Sequence, residues 1–361
     1  MMILIYGYIA VIIIQLLFYI FFLFKFNQKN QIKNNDLPIT IVVCCKNEAQ
    51  NLKRLIPIIM QQDYPNFELL LVDDGSTDST VDVIIHYKKE YKNINYLFVD
   101  EKDKIGVGKK FALQQGVQKA QHDIIVVTDA DCYPISKEWL QKMVQAKQDK
   151  AIVLGISLPF CINGNTVEKL QDYETSITAL QYISLANINC AYMGVGRNML
   201  FEKQVFLDKN WTDKEMNMLS GDDDLFIQTQ AKKNNVTTCT DTNAYTYFDA
   251  KSTWNAWFKQ KQRHLSTGFT YQIKHKVILS LFLLTKLLVY MLSIMISIYN
   301  FKYLVLLLLY SELILLTSRY LYKKNNLFQF FKFSFVFDII YCFSIIFIGL
   351  VAYFKPSKSW K

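Results

Sequence analysis

Asp73-Asp74-Gly75, Asp129-Ala130-Asp131 and Asp222-Asp223-Asp224 concentrate carboxylates at three points of a stretch that closes with Gln260-Lys261-Gln262-Arg263. Carboxylates so placed can hold a hard divalent cation, or take a proton from a hydroxyl within hydrogen-bond reach. Asp-Gly-Ser is also ordinary turn chemistry and an aspartate after a strand commonly caps a helix, so Asp73-Asp74-Gly75 alone leaves these readings open. Asp129 and Asp131 are one residue apart and repel unless a cation or hydrogen bonds hold them. A hard divalent ion bridging a diphosphate is the expected cation, because magnesium and similar ions take one or two carboxylates together with phosphate oxygens and water.

The elements around these clusters are strands. Residues 39–45 form a short apolar, β-branched run that ends at Lys46-Asn47-Glu48; it reads as a buried parallel strand. Helical spacing over residues 51–62, interrupted by Pro57, leads to a second strand at 67–72, with further strands expected at 95–99 and 123–128. Strands alternating with helices predict an α/β fold with a parallel sheet covered on both faces. Ligands of such sheets bind beyond the carboxyl ends of the strands. Asp73-Asp74 and Asp129-Ala130-Asp131 fall at two of those ends, which brings distant residues to one crevice.

Apolar residues crowd both ends of the 361-residue chain. Residues 1–24 carry no charge and are long enough to cross a hydrocarbon core of about 30 Å. Lysines follow the run instead of preceding it, and bulky Phe21, Phe22 and Phe24 close it, so it reads as an anchor and not a cleaved signal. Lys25, Lys29 and Lys33 place the following domain in the cytoplasm. Further spans are expected at 277–298, 303–317 and 334–354, the middle one short and carrying Glu312. Lys355, Lys358 and Lys361 run against that four-span orientation.

The net charge of +9 is spread over juxtamembrane segments, a loop after Arg319 and the tail, which fits anionic headgroups and not nucleic acid. Trp254, Trp257, Phe258, Phe269 and Tyr271 mix with lysines just before the second apolar region, as in a helix lying among headgroups. Seven cysteines without a CxxC pair, and only four histidines, argue against structural zinc and for a reduced compartment. Gly194-Val195-Gly196 lacks the spacing of a dinucleotide fingerprint, and Gly106-Val107-Gly108 reads as a flexible loop.

The order of blocks resembles the catalytic domain of glycosyltransferase family 2, a GT-A type nucleotide-sugar fold, over residues 38–268. The resemblance rests on Val43-Cys44-Cys45-Lys46-Asn47-Glu48, Val72-Asp73-Asp74-Gly75-Ser76-Thr77-Asp78, Gly108-Lys109-Lys110-Phe111-Ala112-Leu113 and Asp129-Ala130-Asp131. It continues through Gly194-Val195-Gly196-Arg197-Asn198-Met199, Gly221-Asp222-Asp223-Asp224-Leu225 and Gln260-Lys261-Gln262-Arg263-His264. It implies a mixed α/β sheet, with Asn47, Glu48, Asp73 and Asp74 holding the base and ribose and Lys109 meeting the diphosphate. Asp131 would ligate Mg2+ or Mn2+, and Asp129 would contact the ribose or complete the metal shell. Asp223 would be the general base, opening a helix with Asp222, Asp223 and Asp224 in its first turn. Gln260 and Arg263 would bind the diphosphate, and Asn198 would touch sugar.

The implied reaction is inverting transfer from a nucleoside diphosphate sugar, UDP-linked by expectation, to a lipid or lipid-linked glycan. The chain is then expected to be a multi-pass cell-membrane protein: residues 1–25 an anchor, 38–270 a cytoplasmic catalytic domain, and 277–354 the C-terminal membrane region. Membrane synthases that extend a polysaccharide carry Gln-x-x-Arg-Trp, whereas this chain has His264, and its membrane region is small for a channel. Single transfer therefore fits better than processive β-polysaccharide synthesis with export. A third reading is a non-catalytic assembly protein that keeps the fold.

Overall fold

The structure, a computed structural model, describes residues 2–27 and 36–355. Lys29, Lys33, Lys358 and Lys361, used above for orientation, lie outside them. The chain forms two compact units: Gln28–Phe160 with Leu185–Ala250 and Ser357–Lys361, and Met1–Asn27 with Cys161–Ser184 and Lys251–Pro356.

The first unit is built on strands β1 (Ile39–Cys45), β2 (Phe67–Asp73), β3 (Ile94–Phe98), β4 (Ile124–Val127), β5 (Cys132–Pro134), β6 (Ile152–Leu154), β7 (Ser157–Phe160), β8 (Met199–Glu202), β9 (Val236–Thr238) and β10 (Thr246–Asp249). Among the described residues a seven-stranded sheet runs β3-β2-β1-β4-β8-β6-β9, and a three-stranded one runs β5-β10-β7. The four strands read from the sequence are all present and mutually parallel. Beyond them β8 runs antiparallel to both β4 and β6, so the sheet is mixed. β1 and β2 are in register from Ile39 opposite Phe67 to Cys45 opposite Asp73. Their side chains are almost all buried, as expected of apolar runs covered on both faces.

The helix expected near Pro57 is continuous over Ala49–Met60 and keeps the proline inside it. Leu52, Leu55, Ile56 and Ile59 bury one face of that helix against the sheet, and this packing holds the turn where a hydrogen bond is missing. Gly106 and Gly108 do not mark a loose loop. Both have positive φ, and a Cβ would lie 2.5 Å from the Met216 carbonyl oxygen at the first and 2.8 Å from that of Leu219 at the second. These glycines permit close backbone packing, sealed by Val107 N–H donating to Met216 at 2.9 Å.

The second unit is helical. Among the described residues four of its helical segments, Met2–Phe26, Ile273–Tyr299, Phe301–Asn325 and Phe331–Phe354, are long and apolar enough to cross a membrane. Leu284, Ile294, Leu308, Leu309, Phe347 and Leu350 stand exposed on them, as lipid-facing residues do. The middle C-terminal helix is not short: it runs over Leu304–Asn325, because buried Ser318, Leu321 and Asn325 carry it past the point where the apolar run ends. Inside this unit Lys286 pairs with Asp338, both wholly buried, and Asp338 also accepts from the hydroxyls of Tyr290 and Tyr173. Gln15 donates to the Phe282 carbonyl at 2.8 Å and to Thr285 at 2.7 Å, so these buried polar groups meet partners inside the unit.

Candidate active site

The carboxyl ends of β1, β2 and β4 converge as parallel strands must, and the acidic clusters gather there. Asp73 is the last residue of β2, and Asp74 extends the ladder through its N–H to the Cys45 carbonyl at 2.8 Å. Asp73 accepts from Ser76 N–H at 3.1 Å, and Asp74 pairs with Lys104 at 2.6 Å. Each still has one buried carboxylate oxygen, Oδ1, with no hydrogen-bond partner among the described residues. Burial raises the Asp74 carboxyl, only partly offset by Lys104.

Asn47 sits at φ +56, a left-handed conformation that asparagine tolerates. Its side-chain oxygen accepts from Thr77 N–H at 2.8 Å and Asp78 N–H at 3.3 Å, binding the loop after β1 to the loop after β2. Glu48 accepts from Asn51 at 2.5 Å while its own N–H donates to Thr80 at 2.8 Å. Asn47 and Glu48 thus shape the loops around Asp73 and Asp74.

Lys109 is the centre of charge. Its ammonium lies 2.6 Å from Asp129 and 3.0 Å from Asp222. Burial alone would favour the neutral amine, but Asp129, Asp222 and Asp223 outweigh it and hold the ammonium well above its ordinary pKa. Burial raises Asp129, with repulsion from Asp131 added, beyond what Lys109 draws back. Asp222 is lowered, because Lys109 and Lys110 overcome its burial. Asp129, Asp222 and Asp223 thus outnumber the one ammonium, Lys109, whose charge they hold.

Asp129, Asp131 and Cys132 present ligand atoms within 4.8 Å of one another. Burial and the neighbouring carboxylates raise the Cys132 thiol, and the two carboxylates beside it are donors suited to a hard cation. Arg54 braces this corner: it pairs with Asp249 at 3.0 Å, lies 4.5 Å from the Tyr133 ring centre and reaches the Asp131 carbonyl at 3.5 Å.

Asp223 does not lie within a first helical turn shared by three aspartates. The helix is Asp224–Gln230 and Asp223 caps it, accepting from Asp224 N–H at 2.8 Å through Oδ1. Oδ2 accepts from Gly196 N–H at 2.7 Å, which ties the Gly194-Val195-Gly196 turn to the base candidate. Burial and Asp222 raise the Asp223 carboxyl. A Cβ on Gly196 would lie 3.3 Å from Asp222, 3.4 Å from Asp223 and 3.4 Å from the Lys109 ammonium, so glycine keeps this cluster closed. Cys44, Lys109, Asp129, Gly196, Asp222 and Asp223 line one small cavity.

Asn198 is not a sugar contact. It is wholly buried and fully bonded, donating to the carbonyls of Ile156 at 2.7 Å and Ala244 at 2.8 Å and accepting from Trp139 at 3.0 Å. Gly155 lies directly against it, where a Cβ would come within 2.6 Å. It joins the two sheets. Gln260 and Arg263 lie on the helix Trp254–Gly268 of the other unit. Sequence reasoning passed over Lys104 and Arg54, which neither stand in an acidic block nor follow a spacing that marks them; Cys44 it placed in a block but gave no part in the site.

The profile of Glycosyl transferase family 2 matches residues 40–208. Glycosyltransferase AglE of Haloferax volcanii is 27% identical over 154 residues, covering 42% of this chain and 49% of that protein. Poly-beta-1,6-N-acetyl-D-glucosamine synthase of Staphylococcus epidermidis is 30% identical over 93 residues, covering 26% of this chain and 21% of that protein. The chain therefore spans about half the length, or less, of these curated relatives. Among solved structures, mannosyltransferase PcManGT from Pyrobaculum calidifontis, in complex with GDP-Man and Mn2+, aligns at a TM-score of 0.64 over 99% of this chain and 98% of that one. At 16% identity this is a likeness of fold.

Proposed function

We propose, from the premise that residues 40–208 belong to glycosyltransferase family 2, that this chain is a membrane-bound inverting glycosyltransferase moving a sugar from a nucleoside diphosphate donor to a lipid or lipid-linked glycan. The observation that carries this reading is the carboxylate-rich cavity beyond β4, with Lys109 clasped between Asp129 and Asp222 and Asp223 held beside them by two backbone N–H groups.

The free oxygens of Asp73 and Asp74 are acceptors suited to the hydroxyls of a ribose and the N–H of a base. Asp131 and Asp129 would hold Mg2+ or Mn2+. When bound, that ion neutralises the charge that gathers on the leaving diphosphate. Lys109 is close enough to the same carboxylates to exchange one of them for a phosphate oxygen as a point charge. Arg263 and Gln260 would bind the diphosphate, the guanidinium by a two-pronged contact. Asp223 accepts the proton of the attacking hydroxyl. As the new bond forms at the anomeric carbon, the bond to the diphosphate breaks and that group leaves with its electron pair. Attack from the face opposite the leaving group inverts the linkage, so an α-linked donor yields a β-glycoside.

Lys25, just inside the first apolar helix, supports a catalytic unit on the cytoplasmic face, where nucleotide sugars are made. Headgroup contact by exposed Trp254 and Phe269 at the ends of the Trp254–Gly268 helix, but not by buried Trp257, and an acceptor held in the bilayer are consistent with that placement. The stretch shared with the Staphylococcus synthase favours a second reading, processive β-polysaccharide synthesis.

The experiment is release of nucleoside diphosphate by the detergent-purified chain with a panel of UDP- and GDP-sugars and membrane lipid extract, with and without Mn2+, followed by mass analysis. One sugar on one lipid establishes single transfer. A ladder of long chains establishes the synthase reading. Silence with every donor, metal present, refutes both.

A further inference from the structure

We infer that Glu174, on the helix Thr166–Ala186, is a positioning residue that fixes the rotation of the helix Trp254–Gly268 and so sets where Gln260 and Arg263 project. The inference rests on the reading of Arg263 as a diphosphate ligand. Glu174 is 4% exposed, and both its oxygens are used on that one helix. Oε2 accepts from the Trp257 indole N–H at 3.1 Å, and Oε1 pairs with the Lys261 ammonium at 2.5 Å. Trp257 and Lys261 are four residues apart and therefore lie one above the other on a single face.

A second grip precedes the first. Gln171, three residues before Glu174 and on the same face of its helix, donates to the Lys251 carbonyl at 2.7 Å and accepts from the Lys251 N–H at 2.9 Å. Asn165 donates to the Ser252 carbonyl at 3.0 Å. The entry to the Trp254–Gly268 helix and its first two turns are thus registered against one neighbour by directional bonds.

A carboxylate bonded at fixed angles to two groups on one face adds a directional constraint on rotation to whatever the packing of the two helices supplies. Each residue turns the helix by about 100°, so pinning Trp257 and Lys261 also fixes the directions of Gln260 and Arg263. Binding groups displaced by about 1 Å can lose about a hundredfold in rate, which is why such a hold matters to chemistry it never touches. Glu174 stands in none of the sequence blocks that mark the catalytic region.

The test uses the full chain in detergent and measures affinity for UDP and GDP, each with Mn2+, in Glu174→Gln, Arg263→Ala and their double variant. Glu174→Gln keeps the acceptor for Trp257 and removes the charge facing Lys261. The expected result is a loss of about tenfold in nucleoside diphosphate affinity for Glu174→Gln, and no further loss when it is added to Arg263→Ala, because both act through one contact. Lys261→Met, which retains the packed stem, is expected to lose affinity in the same way and serves if Glu174→Gln does not fold. Unchanged affinity in Glu174→Gln and Lys261→Met beside a weakened Arg263→Ala overturns the positioning role while leaving the diphosphate reading intact. A loss that adds fully to that of Arg263→Ala also overturns it, since that marks general disruption. If Arg263→Ala itself binds normally, the diphosphate reading has failed and the inference falls with it.

Discussion

Replacing Asp223 by asparagine separates its proposed work as a base from its work as a helix cap. The carboxylate spends one oxygen on Gly196 N–H at 2.7 Å and the other on Asp224 N–H at 2.8 Å. An asparagine has a single acceptor oxygen, so one of those N–H groups must face an amide donor. A hydrogen bond to a charged group contributes about 1.5–3 kcal/mol. Relief of the repulsion with Asp222 returns part of that, and the net loss of stability is expected to be about 1–2 kcal/mol. The fold should therefore survive in detergent at room temperature.

The rate should not. Loss of a general base lowers turnover by about 100-fold to 10,000-fold, while donor affinity, to which Asp223 does not contribute in this mechanism, stays within about threefold. The pH profile adds an independent sign. Burial and Asp222 raise the Asp223 carboxyl, and the base must be ionised to act. The acid limb of the parent rate therefore lies above the ordinary aspartate range, and the residual rate of Asp223→Asn lacks that limb. The assay is nucleoside diphosphate release against pH, with donor binding measured on the same samples. Full turnover by Asp223→Asn, or a loss of donor affinity as large as the loss of rate, would falsify the assignment.

Gly196→Ala places a methyl 3.3–3.4 Å from Asp222, Asp223 and Lys109; it is expected to cost about 1 kcal/mol in unfolding but roughly tenfold to a hundredfold in turnover, read from the two assays side by side. Asp131→Asn should raise the Mn2+ concentration for half-maximal rate by more than about tenfold, the cost even of losing an outer partner of a metal ligand; an unchanged metal titration counts against Asp131 as ligand. Burial pushes the Asp172 carboxyl up to about 7, so the folded state favours the protonated acid. The stability this lends is whole below the ordinary aspartate range and is lost as pH rises to about 7, on the order of 4 kcal/mol, so Asp172→Asn should exceed the parent in stability above that pH and match it in acid. Lys286→Met leaves Asp338 charged and unpaired and should destabilise by about 3–5 kcal/mol, whereas adding Asp338→Asn should recover most of it in detergent unfolding.

The four parallel strands and the acidic residues at their ends were legible because both depend on local rules. An unbroken β-branched run such as residues 39–45 can be satisfied only as a buried strand, and the end of a parallel strand opens onto the crevice whatever lies around it. The helices long and apolar enough to cross a membrane declared themselves by length and composition, except that the end of Leu304–Asn325 depends on which polar residues its neighbours bury.

Tertiary structure alone decided the partners. Nothing near Lys109 in the chain says that it will sit between Asp129 and Asp222, since ion pairs are made across space by strands and loops whose order the sequence does not state. Asn198 looks like a ligand-facing polar residue beside a glycine turn, yet it lies at the junction of two sheets where three buried groups need its amide, and burial turns it into a structural bond. The same holds for Glu174 and for Lys286 with Asp338, whose charges are acceptable inside the protein only because the fold brings a partner to each. Residue type and spacing determined which groups could do chemistry and which segments could meet lipid; the packing determined which of those groups are neutralised, which are held in place, and which keep an oxygen to spare.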